Sequence, residues 1–287
     1  TVKGVFFMQH TSQTFLTYIP LLAPSSAGIV HSVYHRTINL MFHGRLAALQ
    51  SRGSVLSPVS LLADQEDLLV ATGDFDHTCI PVQITEDQGI LFAGIPLEIS
   101  FRNAAGHDLG TLSLLDPLRL SDLAGQLLYT ISSAMITDST SFSFLMPTSD
   151  PLSCLAPHSN GFTAARGYIK GALQRGCRNP SGLIGLGIGL TPSGDDFLCG
   201  VLAGLTISMC QDHPFALALQ DEIRSRLSDT NDISRAFLSC ALEGQFSQPV
   251  VQLSSMVSPE EISREFARIG HSSGMDTLSG IYYILSL

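Results

Sequence analysis

The sequence predicts an α+β protein, in which a small antiparallel β-sheet or barrel domain (residues 1–118) precedes a mainly α-helical domain (residues 119–287). Two patterns predict this fold class. In the first domain, short runs of alternating apolar and polar residues are broken by turn-forming residues, as in strands. In the second domain, apolar residues recur every three or four positions over longer stretches, as in helices.

Turn-forming sequences divide the first domain into a series of predicted strands. His43-Gly44 and Asp87-Gln88-Gly89 are two of these turns, because Gly and Asp adopt turn conformations readily. The predicted strands are residues 33–42, 46–51, 59–62, 68–71, 80–84, 90–92 and 97–101.

Helical periodicity begins near residue 122 and continues to the end of the chain, with one interruption. The interruption is residues 137–157, a polar stretch rich in Ser, Thr, Asp and Pro that is typical of a linker. Ser258-Pro259-Glu260-Glu261 combines a capping serine, an early proline and first-turn acids, which together indicate a helix start. The predicted helices are residues 122–136, 159–175, 194–209, 215–227 and 232–246, one that starts at Ser258, and residues 274–287.

Charge and composition exclude several classes of partner. The net charge is −10 and the 15 Lys and Arg residues are scattered, so the sequence has no basic stripe to bind nucleic acid. The longest weakly charged stretch, residues 5–30, is interrupted by Gln, His and Pro, so we expect neither a membrane span nor a signal peptide. The six cysteines lack zinc-site spacing. These features predict a reduced, cytoplasmic protein that binds a small molecule or another protein.

One helix-start motif occurs twice in the second domain. The template Ser-Gly-x-Asp-x-Leu-x-Gly matches residues 193–200 and 273–280. Its Ser-to-Asp spacing is that of a capping box with Asp in place of Glu, so we expect both motif serines to cap helices. The final glycines, Gly200 and Gly280, would let the two helices approach closely. A pair of buried helices related by internal duplication would explain this motif without any function.

Three alternating glycines precede the first copy of the motif, in GLGIGLTPSGDDFLCG (residues 185–200). Gly185, Gly187 and Gly189 permit positive φ angles, and the following helix start offers N–H groups and a partial positive charge. We therefore expect a site for a small anionic substrate. The phosphate-loop and Rossmann fingerprints are both absent from the sequence, which argues against ATP or NAD at this site.

Acidic residues accompany the predicted anion site. The candidate catalytic residues Asp195, Asp196 and Asp276 lie near helix starts, where the helix dipole should keep them ionised. They can then accept hydrogen bonds from a substrate amide or hold a metal such as Mg²⁺, although no third ligand has a diagnostic spacing. At another helix start, we expect Thr230, Ser234 and Arg235 to act in capping before any ligand contact. The candidate substrate-binding residues are Gly187, Gly189, Thr191, Ser193, Gly194, His271, Ser273 and Gly274.

The same segments resemble the AllH family. The resemblance rests on residues 185–200, on residues 231–246 and on HSSGMDTLSG (residues 271–280), with weaker support from Asn39 and Ser57-Pro58. It implies a subunit of a bacterial oxamate carbamoyltransferase of allantoin and purine-nitrogen catabolism, which works with two other subunits. Such an enzyme converts oxalurate and phosphate to oxamate and carbamoyl phosphate.

Three functions are compatible with these observations. The resemblance favours a carbamoyltransferase subunit that binds a small anionic amide between two helix N-termini. The Ser-Thr-Arg-Thr-Arg phosphate signature of ordinary carbamoyltransferases is absent from the sequence, so phosphate would be held in another way. The alternatives are a stand-alone metal-dependent hydrolase or lyase, and a non-catalytic subunit whose paired helices serve packing and assembly.

Overall fold

The structure, a computed structural model, divides into two compact units, Thr1–Leu109 (unit 1) and Gly110–Leu287 (unit 2). Unit 1 carries a β-sheet and unit 2 is mainly helical, so the predicted α+β class is confirmed. The predicted domain boundary after residue 118 stays a prediction. The structure describes residues 13–14, 23–34, 36–63, 79–95, 98–101, 104, 106–135, 180–187, 189–270 and 272–287. Outside them lie the predicted strand 68–71, linker 137–157 and helix 159–175.

Unit 1 contains an eight-stranded sheet. Its strands are β1 (Gln13–Thr14), β2 (Ala27–Tyr34), β3 (Thr37–Phe42), β4 (Arg45–Ser51), β5 (Ser60–Ala63), β6 (Pro81–Ile84), β7 (Gly89–Phe92) and β8 (Glu98–Ser100). They lie side by side in the order β1-β5-β4-β3-β2-β6-β7-β8. All neighbouring pairs are antiparallel except β4 and β5, which are parallel. The antiparallel prediction is wrong for this pair, because an alternating pattern is the same for either strand direction.

A hairpin turn interrupts the segment that the sequence predicts as one strand, residues 33–42. β2 ends at Tyr34, β3 begins at Thr37, and these two residues pair across the turn. The single-strand prediction is therefore wrong, because apolar residues continue on both sides of the turn and the alternation does not reveal the reversal. The side chains of β3 contribute to the core of unit 1, where Ile38 and Leu40 have no exposed surface.

Seven helices are described in unit 2. They are α1 (Pro117–Met135), α2 (Ser193–Ile207), α3 (Pro214–Ser225), α4 (Asp232–Leu242), α5 (Gln248–Gln252), α6 (Pro259–Ala267) and α7 (Ser273–Leu285). Each overlaps a predicted helix except α5, whose five residues are too few for a periodic pattern. α6 begins as predicted, since Ser258 accepts a hydrogen bond from the N–H of Glu261 (3.2 Å). In the part of the chain that the structure describes, no helix has the length and apolar character that crossing a bilayer requires.

α2 and α7 form a closely packed helix pair in unit 2. They cross where Gly200 meets Gly280: a Cβ on Gly200 would overlap the carbonyl oxygen of Thr277, and one on Gly280 that of Phe197. The close approach that the two motif copies predict is therefore confirmed. Thirteen of the 15 residues of α2 are buried, as its near-continuous apolar sequence predicts. This packing brings the first turn of α2 next to the first turn of α7.

Candidate functional site

The first turns of α2 and α7 hold the candidate catalytic residues, but neither turn has the predicted capping box. α2 begins at Ser193 with Pro192 in the capping position, and α7 begins at Ser273 with Ser272 in that position. No side chain caps either helix. Each motif serine is already the first helical residue, so its hydroxyl comes one position too late to act as the cap.

Asp195 connects the residues before α2 to the residues before α4. Its Oδ1 accepts a hydrogen bond from the N–H of Gly185 (2.8 Å), and its Oδ2 accepts one from the hydroxyl of Thr230 (2.5 Å). Burial, which leaves the residue 1% exposed, raises the pKa of this carboxyl, and its hydrogen bonds, of which that from Thr230 has the largest effect, oppose that rise. Because both oxygens accept hydrogen bonds from protein donors, Asp195 holds these two segments together, and its predicted catalytic role stays a prediction.

Asn231 caps α4, and this leaves Thr230 to bind Asp195. The side-chain oxygen of Asn231 accepts hydrogen bonds from two N–H groups in the first turn of α4, both at 3.0 Å. Its amide donates to the carbonyl of Leu190 (3.0 Å), which is a second tie between these segments. The prediction that Thr230 and Ser234 act in capping is wrong, since Asn231 is the stronger capping residue. Asn231 itself was the signal in the sequence for this arrangement.

The glycine loop (residues 185–192) folds back onto the helix that it precedes. The N–H of Gly194 donates to the carbonyl of Leu186 (2.8 Å), and the next two N–H groups donate to the carbonyl of Pro192 (2.9 and 3.2 Å). The protein's own carbonyls thus bind three of the N–H groups at this helix start, so the geometry adds no support for an anion at them, and the anion site stays a prediction. The predicted positive φ angles are confirmed: 72° at Gly185, 137° at Gly187 and 99° at Gly189.

Asp196 makes its contacts outside its own helix, with Thr191 and Ser273; we call these three residues the Asp196 cluster. The hydroxyls of Thr191 and Ser273 lie 2.9 Å from each other, and both interact with the carboxyl group of Asp196 and lower its pKa. Asp196 is 9% exposed. Its Oδ2 is buried and has no hydrogen-bond partner among the described residues. The cluster therefore joins the glycine loop, α2 and α7 around one unused carboxyl oxygen.

Burial decides the protonation of Asp196. It raises the pKa of the carboxyl from an ordinary 3.8 to about 7, although the hydrogen bonds from Ser273 and Thr191 lower it; the negative charge of Asp195 adds a smaller rise. The expectation that the helix dipole keeps this residue ionised is wrong, because the loss of water outweighs the dipole. A carboxyl with this pKa takes up and releases a proton near neutral pH.

Three of the predicted substrate-binding glycines are packing positions. A Cβ on Gly194 or Gly274 would overlap a carbonyl oxygen of an earlier segment. A Cβ on Gly187 would lie 2.6 Å from the backbone nitrogen of Ser193. Since Ser193 is itself only 3% exposed, these four residues shape the backbone around the Asp196 cluster, and their predicted contacts with substrate stay predictions.

The remaining candidates differ in exposure. Asp276 lies in the first turn of α7 with no exposed surface, whereas Gly189 lies exposed in the glycine loop. His271 is outside the described residues. Within the residues that the structure describes, no three His, Cys, Asp or Glu side chains form a group able to hold a metal, so the geometry adds no support for Mg²⁺. The catalytic role predicted for Asp276 stays a prediction.

Two family models match the chain. The model described as "Oxamate carbamoyltransferase subunit AllH" matches residues 183–285, and the model described as "AllH family N-terminal domain" matches residues 11–106. Together they cover more than half of the chain, and the first includes every residue of the Asp196 cluster. No curated protein and no solved structure matches the chain.

Proposed function

Because the chain belongs to the AllH family, described as a subunit of oxamate carbamoyltransferase, we propose that it binds the substrate of that enzyme at the Asp196 cluster. The proposed reaction converts oxalurate and phosphate to oxamate and carbamoyl phosphate, in the breakdown of allantoin and purine nitrogen. As a subunit, the chain acts in a complex with other subunits of the enzyme.

One observation carries this proposal: Oδ2 of Asp196 is buried without a hydrogen-bond partner among the described residues. Leaving such an atom without a partner costs about 1–3 kcal/mol, so native proteins keep few of them and those few call for an explanation. The amide N–H groups of oxalurate and oxamate are suitable donors for a carboxyl oxygen. Substrate binding would supply the missing hydrogen bond.

The negative end of the substrate has a suitable neighbour in α7. Ser273 is the first residue of that helix, and a helix N-terminus carries a partial positive charge that attracts carboxylates and phosphates. The start of α2 is less suitable, because its first N–H groups already bind carbonyls of the protein. Oxalurate, with an amide next to a carboxylate, matches a site that has Asp196 on one side and the start of α7 on the other.

Replacement of Asp196 by Asn tests this proposal, since Asn keeps the shape of the side chain and removes its charge and its proton. In the assembled complex, we expect Asp196→Asn to slow carbamoyl phosphate formation from oxalurate and phosphate by at least about 100-fold. Asp122→Asn changes an exposed aspartate of α1, and this matched control should keep normal activity.

Assembly of the same samples is measured by size-exclusion chromatography. A complex of normal size with low activity supports the proposal, and an Asp196→Asn complex with normal activity contradicts it. Failure of the variant to join the complex would instead give Asp196 a role in assembly, and the substrate site would then lie elsewhere.

A further inference from the structure

The carboxyl group of Asp196 is positioned to transfer a proton as well as to bind a substrate. We propose that Asp196 is the general acid that protonates the leaving nitrogen when the carbamoyl group passes from oxalurate to phosphate. This inference rests on the proposed function and adds a chemical step to it, whereas the proposed function alone requires only that Asp196 binds.

The reaction requires one proton at a defined atom. An oxygen of hydrogen phosphate forms a bond to the carbamoyl carbon of oxalurate, and the bond between this carbon and the amide nitrogen of the oxamate part breaks. The electron pair of the broken bond goes to that nitrogen, which is a poor leaving group unless it receives a proton. Asp196 in its acid form gives this proton, and the phosphate, which loses its proton on forming carbamoyl phosphate, returns one to the carboxylate. The residue is thereby regenerated.

The geometry of the Asp196 cluster suits this role. Two hydroxyl groups, those of Thr191 and Ser273, hold the carboxyl group from the glycine loop and from α7. Within the described part of the chain, Oδ2 is buried and has no partner of its own, so a proton on this atom is not committed to another protein group. With 9% of the residue exposed, few water molecules can compete for that proton.

The neighbouring acidic groups do not offer the same chemistry. Asp195 uses both of its oxygens for Gly185 and Thr230, and Asp276 of α7 has no exposed surface. Cys199, one turn further along α2, is a neutral thiol, because burial and then the charges of the two aspartates raise its pKa; Cys240 of α4 contributes in the same direction. Of the three aspartates, Asp196 is the most exposed, at 9% against 1% for Asp195 and none for Asp276.

The protonation of Asp196 agrees with the role. Burial brings its pKa to about 7, while Ser273 and then Thr191 are the groups that lower it. A general acid must be protonated before the step, so the rate should fall as the pH rises through this pKa. Removing the hydroxyl of Ser273 should raise the pKa, and the fall should then occur at higher pH.

The test is the pH dependence of the single-turnover rate of the assembled complex at saturating oxalurate and phosphate. We expect the wild-type rate to fall by about tenfold for each pH unit above the pKa of Asp196. Ser273→Ala should move this falling limb to higher pH. Ser286→Ala, at the other end of α7, removes a hydroxyl that binds only the carbonyl of Tyr283 in the described structure, and this control should leave the limb unmoved.

The outcomes separate the two proposals. A limb that rises with pH overturns the general-acid role, since it would mean that the ionised carboxylate is required. A falling limb that Ser273→Ala does not move also overturns it, because the titrating group would then lie elsewhere. If the wild-type complex makes no carbamoyl phosphate from oxalurate, the proposed function itself fails.

Discussion

The first turns of α2 and α7 carry the same motif, yet the structure uses them differently. The glycines of the two copies have the same packing roles. Gly194 and Gly274 let earlier segments pack against the helix, and Gly200 and Gly280 form the crossing point. The aspartates do not simply repeat each other, because Asp196 of α2 binds Ser273 of α7, a residue of the other helix. The repeated positions therefore build the helix pair, and the contacts between the two copies build the site.

The position before the motif aspartate shows the difference most clearly. In α2 it is Asp195, whose carboxylate ties Gly185 and Thr230 together. In α7 it is Met275, which is 8% exposed and packs in the core of unit 2. One copy thus uses this position to hold the glycine loop, and the other copy uses it for apolar packing. Two adjacent carboxyl groups in α2 therefore have separate tasks, one structural and one chemical.

The largest expected effect is on the pH dependence of the free energy of unfolding, and it distinguishes the carboxyl group of Asp196 from that of Asp195. Because the folded chain binds the Asp196 proton up to pH about 7 and the unfolded chain only to about 3.8, the free energy of unfolding falls as the pH rises between these values. The loss is about 4 kcal/mol once both states are ionised. Asp196→Asn should remove this loss, so its stability relative to wild type should improve by about 4 kcal/mol between pH 4 and pH 8. Urea denaturation at both pH values measures it.

Asp195→Ala is the contrasting variant. It leaves the N–H of Gly185 and the hydroxyl of Thr230 without their acceptor, so we expect it to lower the free energy of unfolding at pH 5 by about 3 kcal/mol. If Asp196→Asn shows no pH-dependent gain, or Asp195→Ala is as stable as wild type, the division of tasks between the two aspartates is wrong.

The next largest effect is a loss of stability at the crossing point of α2 and α7, which the final glycines of the two motif copies form. Gly200→Ala introduces a Cβ that overlaps the backbone carbonyl of Thr277, and we expect it to lower the free energy of unfolding by about 3 kcal/mol. Gly125→Ala is the control, because this glycine of α1 has nothing within 4 Å of a Cβ. It should raise stability by about 0.5–1 kcal/mol, the usual gain in a helix. Equal thermal stability of the two variants would contradict the close crossing of α2 and α7.

The smallest expected effect is the loss of stability when a serine in the capping position is replaced, and we compare it at the starts of α6 and α7. Ser258 accepts a hydrogen bond from the N–H of Glu261, so Ser258→Ala should cost about 1 kcal/mol of stability. Ser272 occupies the capping position of α7 without making such a bond, so Ser272→Ala should change stability by much less. Chemical denaturation of both variants tests this, and a larger loss for Ser272→Ala would mean that α7 is capped after all.

Local sequence patterns predicted the elements well and their ends less well. The apolar run of α2 and the serine, proline and acids at the start of α6 indicate helices because they act within a few residues. The same local logic fails for Ser193 and Ser273, where the backbone enters the helix one residue early. It also fails for residues 33–42 and for the parallel pair of β4 and β5, because strand reversal and direction depend on pairing with distant segments.

The sequence by itself determined that residues 193–200 and their second copy, residues 273–280, would form two close helix starts lined with carboxyl and hydroxyl groups. Only the tertiary structure decided that Asp195 is a tie, that Asp196 carries an unused oxygen, and that its pKa rises to about 7. The reason is physical: hydrogen-bond partners such as Thr230 and Ser273 lie far along the chain. The loss of water that sets a carboxyl pKa results from the packing of all these segments together.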